Sequence, residues 1–211
     1  MGGLLLVMGA PETHPKHQTV GLETQMVDTA FIIRFTRPAI RNPLSVSILH
    51  GLTRVIDRID PSVLTVIFTG TDDVFASGAD LREIASVKAK EAREFALRGQ
   101  ALMAKIAALP QATIAAINGY CFGGALDLAL SCERRIASPD AEFGHPGAGL
   151  GIITGWGGTQ RLPRLIGTAF ANEMFFSASP VNSQRALSIG LVDSIADDPL
   201  SSSIELANSH I

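Results

Sequence analysis

The chain has 211 residues, 46% of them hydrophobic and 18% charged, with 17 basic against 20 acidic side chains and a formal charge of -3. That excludes a disordered chain, favours one generous domain over two, and supplies no global charge to draw in nucleic acid or an anionic membrane surface. Two cysteines, Cys121 and Cys132, stand in no CxxC arrangement, which excludes a disulfide-stapled scaffold and fits a reducing cytoplasm.

Met1 to Met8 is apolar, but it lacks the basic flank of a signal peptide and is too short to span a bilayer. Residues 1–25 read as a poorly ordered tail. His14 and His17 are three apart, yet Pro11 and Pro15 argue against a helical metal pair, and no metal site is expected. The run MVDTAFIIRF, 26–35, is β-branched and aromatic enough for a strand, followed by a turn at Thr36-Arg37-Pro38. Ile48, Leu52, Val55, Ile56 and Ile59 recur at helical spacing from about Ser45 to Ile59, and Asp60-Pro61 ends that run ahead of a buried-strand pattern, Val63 to Phe68. Gly70-Thr-Asp-Asp73 breaks the chain. A mixed-charge stretch then runs to Leu109, with Phe95, Leu102, Ile106 and Leu109 on one helical face and Pro110 as its stop. Within it Arg82, Lys88, Lys90, Arg93 and Arg98 interleave with Glu83, Glu91 and Glu94, the pattern of a solvated face. Thr113 to Ile117 is the next short strand, Asn118 to Gly124 a glycine-bearing turn, and Ala125 to Cys132 a further helix. Strands alternating with helices predict an α/β fold with largely parallel neighbours. No linker or repeat divides the chain. The expected core is 26–197, with 198–211 beginning a helical region in which Leu200 to Ala207 suits a helix.

Several site signatures are missing. There is no GxxxxGK[ST] and no GxSxG, and Gly147-Ala-Gly-Leu-Gly151 lacks GxGxxG spacing and its strand-turn-helix context. Neither thiol has a histidine beside it, so both read as small buried hydrophobes. Two glycine turns remain, Phe75 to Asp80 and Gly119 to Ala125, each leading into a helix. Such turns offer backbone N–H groups at helix starts, and two that converge make an oxyanion hole. Ordinary strand-to-helix turns would look the same.

The motifs Phe75-Ala-Ser-Gly-Ala-Asp80, Ile114-Ala-Ala-Ile-Asn-Gly-Tyr120, Phe122-Gly-Gly124, Phe143-Gly-His-Pro146 and Gly157-Gly-Thr-Gln-Arg-Leu-Pro163 resemble, in order, the signatures of the crotonase (enoyl-CoA hydratase/isomerase) superfamily. Gly190-Leu-Val-Asp193 resembles a later landmark, so the likeness covers about Val27 to Ala196. The resemblance implies a spiral of ββα units that binds an acyl-coenzyme A thioester. It also implies that the thioester oxygen accepts from the backbone N–H groups of Ala79 and Gly124. Carried over by motif, Ala76, Ser77, Gly78, Ala79, Asp80, Leu81 and Arg82 would line the adenine and pantetheine path, with Gly123, Gly124 and Gly147 at the acyl end. Coenzyme A enters as part of the substrate, with no separate cofactor, and a homo-oligomer, trimer or hexamer, is implied.

Hydratases of this family are expected to carry two glutamates, where this chain reads Asp127 and Gly147. Hydration needs one group to activate water and another to manage the proton at Cα, and glycine does neither. Asp127 keeps a carboxylate about 1.5 Å short of a glutamate's reach, or else serves only to complement the helix dipole. His145 is the other nearby acid-base candidate if its segment is extended toward Gly147. Trp156 could wall the acyl pocket or simply pack. Members of the family continue beyond the Gly-Leu-Val-Asp landmark with helices that cover the pocket, so an exposed apolar face and self-association are expected. Two classes of function follow: an acyl-CoA isomerase or decarboxylase using at most one carboxylate, or a catalytically silent coenzyme A-binding or assembly protein.

Overall fold

The computed structural model describes residues 17–209. The chain opens with β1 (His17–Thr19), β2 (Leu22–Val27), β3 (Ala30–Phe35), β4 (Pro43–Leu44) and α1 (Val46–Ile56). A second turn runs through β5 (Thr65–Thr69), β6 (Val74–Ala76), β7 (Gly78–Ala79), α2 (Leu81–Ser86) and α3 (Ala92–Ala107). A third gives β8 (Ala112–Ile117), β9 (Tyr120–Phe122) and α4 (Gly124–Ala129). The fourth is β10 (Arg134–Ala137), β11 (Glu142–Gly144), α5 (Gly158–Ile166) and α6 (Thr168–Ser177), before β12 (Val181–Asn182), α7 (Ser183–Ser188), β13 (Ser194–Ile195) and α8 (Pro199–Ser209).

Successive turns add one strand to each of two sheets. The larger has seven strands in the order β1-β2-β3-β5-β8-β10-β13, the smaller four in the order β12-β11-β9-β6, and β4 pairs with β7 alone. From β3 to β13 every neighbouring pair in the large sheet is parallel, as are β6–β9 and β9–β11 in the small one. This is the expected α/β spiral of ββα units. Side-chain alternation in the large sheet separates two cores. Ile33, Phe35 and Phe68 face the interior with Leu52, Phe75 and Met103, Phe35 meeting Phe75 edge to face at 5.6 Å. Ile32, Ile67, Ile114 and Ile136 face the other way, where Leu200, Ile204 and Ala207 of α8 cover them.

Several expectations need correction. The predicted strand 26–35 is a hairpin, β2 with β3, turned at Asp28 in the left-handed region at φ 51°. Met26 and Val27 before the turn and Ala30 to Ile33 after it are apolar, so the two-residue turn does not interrupt the pattern. Residues 17–25, expected to belong to a poorly ordered tail, instead carry β1 and most of β2, with Leu22 in the interior core; residues 1–16, with His14 and the apolar opening, lie outside the described residues. The predicted helix ending at Leu109 is two, α2 and α3, separated by an extended Val87 and Lys88. Glu83, read as part of a solvated face, accepts from the Val46 N–H at the start of α1 at 2.8 Å. The helix expected over Leu200 to Ala207 forms as α8 (Pro199–Ser209), and its Leu200, Ile204 and Ala207 pack on the large sheet.

Asn42 fixes the start of the site. Buried at φ 46°, it accepts from Arg37 N–H at 2.6 Å and donates to the carbonyls of Val74 and Phe75 at 3.0 and 3.2 Å. Asn42→Ala should cost about 2 to 4 kcal/mol in urea unfolding, because it leaves buried backbone groups unpaired and strains a non-glycine φ. A loss under half a kcal/mol would show that the contact does not hold β4 against β6.

Candidate active site

The two glycine turns meet. Gly78 takes φ +86°, open to glycine alone at low cost, and a Cβ there would lie 2.5 Å from the Phe122 carbonyl oxygen and 2.7 Å from the Gly124 nitrogen. The chain before α4 therefore runs directly against β7. Gly123, at φ +56°, donates to the Gly144 carbonyl at 2.8 Å, which leaves Gly124 as the first residue of α4. Its N–H has no intrahelical acceptor. On the far side β7 pairs with β4, and Ser77 N–H donates to the Arg41 carbonyl at 2.9 Å.

These segments line a cavity of about 730 Å³. Ala79, Gly123, Gly124, Asp127 and His145 reach it, together with Ile84, Val87, Phe95, Ala96, Leu150, Ile152, Ile153 and Trp156. Ser77, Asp80, Leu81, Arg82 and Gly147 line it as well. Ala76 does not, being a core residue of β6, and Gly78 stands behind the wall it makes possible. Sequence reasoning missed Ile40 and Arg41, whose guanidinium lies 5.1 Å over the Tyr120 ring. It also missed Thr154 and the two isoleucines, which sit in an irregular loop with no periodicity to mark them.

Two acidic residues line the cavity, and both are engaged. Asp80 caps α2 and takes the Arg82 guanidinium on both oxygens, at 3.0 and 2.7 Å, so its pKa falls to about 2. Asp127 is fully buried. Its Oδ2 accepts from the Thr154 hydroxyl and from the Trp156 N–H at 3.2 Å. Its Oδ1 has no hydrogen-bond partner and lies 3.7 Å from His145 Nε2, and neither ring nitrogen of His145 has a partner either. Burial raises the Asp127 carboxyl to about 6, against the pull of Thr154, the Trp156 N–H, Arg161 and the Gly158 backbone N–H. Burial lowers His145 to about 4. The contact is therefore not an ion pair at neutral pH, for the imidazole is uncharged. His145 also stacks at 5.2 Å on Phe175.

The segment after His145 is not extended, as the sequence reading required, but a one-turn 3-10 helix at Pro146–Leu150. It folds back so that a Cβ at Gly147 would lie 2.7 Å from the Ile152 carbonyl oxygen and 3.1 Å from the Ile152 side chain. A longer side chain at 147 has no room on this backbone.

Among solved structures, the enoyl-CoA hydratase from Bacillus anthracis superposes with a TM-score of 0.86 at 33% identity, over 90% of this chain and 76% of that one. The enoyl-CoA hydratase from Thermoplasma volcanium does so with 0.86 at 30% identity, over 90% and 77%. The architecture is that of the crotonase superfamily. The enoyl-CoA hydratase/isomerase family profile matches residues 26–208, and the chain belongs to that family. The crotonyl-CoA hydratase of Syntrophomonas wolfei is 41% identical over 167 residues, 78% of this chain and 64% of that protein. The mitochondrial methylglutaconyl-CoA hydratase of Rattus norvegicus is 41% identical over 160 residues, 74% and 51% respectively. This chain thus spans under two thirds of the first relative's length and about half of the second's. Among the described residues no helix is long and apolar enough to cross a membrane.

The buried pair gives opposing pH dependences. With His145 at about 4 folded against 6.5 unfolded, the unfolded chain binds more protons between those values, so this group weakens the fold on acidification. With Asp127 at about 6 against 3.8, the folded chain binds more, and this group weakens the fold as pH rises from 4 to 6. In Asp127→Asn only the histidine effect remains, so its stability relative to wild type should fall by about 2 kcal/mol between pH 7 and pH 4. His145→Gln should gain a similar amount over the same interval. Urea titrations at both pH values check this, and parallel pH profiles for all three proteins would contradict the pairing.

Proposed function

We propose that this chain binds an acyl-CoA thioester and stabilises its enolate, catalysing double-bond migration or decarboxylation rather than hydration, with no cofactor beyond the coenzyme A of the substrate. The observation that carries this reading is the passage of Gly78 against Gly124, which sets the Ala79 backbone and the free leading N–H of α4 at one wall of the cavity. Loss of a proton or of carbon dioxide at Cα pushes charge onto the thioester oxygen. Two backbone donors fixed in advance stabilise that charge, and removing one such donor costs about 3 to 4 kcal/mol in other enzymes. Ile84, Val87, Phe95 and Ile152 give the acyl group an apolar lining that excludes water.

Proton transfer falls to Asp127 Oδ1 and His145, the polar atoms beside the cavity that lack partners. With Asp80 held by Arg82 and no side chain at Gly147, no second carboxylate stands ready to activate water. The relatives named as hydratases favour an acyl-CoA substrate. Hydration itself would ask of this chain a group it lacks, and supplying Glu at 147 would meet the Ile152 carbonyl. Restoring both glutamates is thus expected to fail on this backbone.

The test follows butanoyl-CoA in heavy water by proton NMR, with crotonyl-CoA hydration measured beside it. Exchange at the α-carbon should be catalysed and should drop about 100-fold or more in Asp127→Asn, while crotonyl-CoA hydration stays at least 100-fold below an ordinary turnover of about 10 per second. Hydration at that ordinary rate would overturn the reading. Tight thioester binding without any exchange would favour the silent coenzyme A-binding alternative.

Self-association, as a trimer or hexamer, belongs to the same proposal, and so does a cytoplasmic location, supported by two free buried thiols. Phe176 at 79% exposure, with Phe170 and Leu165 also exposed, supplies an apolar surface on α5 and α6. Light scattering at tens of micromolar should report more than one chain per particle, and a strict monomer would contradict the assembly.

A further inference from the structure

The geometry points to Trp156 as the residue that limits the length of the acyl group, with Asp127 as its positioning residue. This inference rests on the acyl-CoA reading above. The indole is 3% exposed and bridges the gap between α3 and α4. Its five-membered ring, at Cδ1 and Nε1, stands against Gly99 of α3, and its six-membered ring, at Cε3 and Cζ3, against Gly124 of α4; a methyl group added at either glycine would run into it. Phe95 packs beside it at 6.2 Å between ring centroids, and Phe95, Ala96, Gly124 and Trp156 all line the cavity. An acyl group whose carbonyl is held at Gly124 N–H therefore grows along an aromatic wall in contact with that same glycine. On this side there is no channel between the two helices, because the indole fills it.

The wall is held by its backbone. Asp127 Oδ2 takes the Trp156 N–H at 3.2 Å and the Thr154 hydroxyl, so one buried carboxylate sets the position of residues 154–156 relative to α4. Arg161 Nη1 donates to the Trp156 carbonyl at 3.4 Å from the first turns of α5. Asp127 thus has two separable duties: Oδ2 fastens the wall, and Oδ1 faces His145.

Each methylene that enters an apolar pocket strengthens binding about fourfold, and a methylene that stays outside adds little. Calorimetry with acetyl-, butanoyl-, hexanoyl- and octanoyl-CoA tests the wall directly. In the wild type, affinity should change less than about threefold from butanoyl to octanoyl. Trp156→Ala should gain about tenfold or more over that series, and Trp156→Leu an intermediate amount. Asp127→Ala should shift the length profile in the same direction. Asp127→Asn, which keeps an oxygen for Thr154 and Trp156, should retain the wild-type profile, a distinction that a merely structural loss would not produce. If Trp156→Ala and Trp156→Leu bind acetyl-CoA yet keep the wild-type profile, the wall assignment is overturned while the acyl-CoA reading stands. If the variants fail to fold, a fourfold gain per methylene in the wild type overturns it alone. If the folded wild type binds no thioester at all, the acyl-CoA reading falls and this inference falls with it.

Discussion

Burying a carboxylate costs several kcal/mol unless protein groups replace its water, and the region around the cavity is arranged about that demand. Asp127 enters from α4, and the loop from Thr154 to Trp156 bends over it to supply a hydroxyl and a backbone N–H. The start of α5 closes from the far side, so tightly that a Cβ at Gly158 would collide with Oδ1. Fixing this loop fixes the indole of Trp156, and the indole in turn separates α3 from α4. The partners satisfy one oxygen only. Oδ1 is left without a hydrogen bond beside an uncharged His145, and burial outweighs the partners, holding the carboxyl near 6.

Missing side chains shape the cavity as much as those present. Gly78 lets β7 approach the start of α4 at a distance that no Cβ would allow, and Gly124 makes room for the Trp156 indole, so backbone donors lie where a side chain would otherwise stand. The same economy closes other options. At Gly147 the 3-10 turn puts the Ile152 carbonyl where a side chain would begin, so the loop has settled around the absence of a carboxylate. Among the described residues lining the cavity, the titratable groups left outside an ion pair with Arg82 include one buried aspartate and one neutral histidine, and the proposed function gives them the proton transfer.

The order of elements was legible from the sequence because it rests on local rules. The apolar runs at 63–68 and 113–117, the helical spacing from Ser45, and the stops at Pro61 and Pro110 each act over a few residues, and the structure places β5, β8, α1 and α3 close to those bounds. The hairpin of β2 and β3 escaped because Asp28 and Thr29 carry a weak turn signal between the apolar Met26–Val27 and the apolar start of β3. Glycine motifs marked the two turns at the cavity. Their meeting depends on Gly78 and Gly124, 46 positions apart, coming into contact, and no local pattern encodes that contact.

The sequence by itself determined the alternation of strands with helices and the two glycine turns, since these are properties of residue type, order and spacing. Tertiary structure alone decided what Asp127 and His145 became. Their pKa values move through desolvation, and their partners, Thr154 and Trp156 on one side and Phe175 on the other, arrive from distant elements. It also decided where Trp156 stands: its indole is buried between α3 and α4 and lines the cavity. A side chain's surroundings are set by which helices pack beside it, and for Trp156 those are α3 and α4, brought together only when the spiral closes.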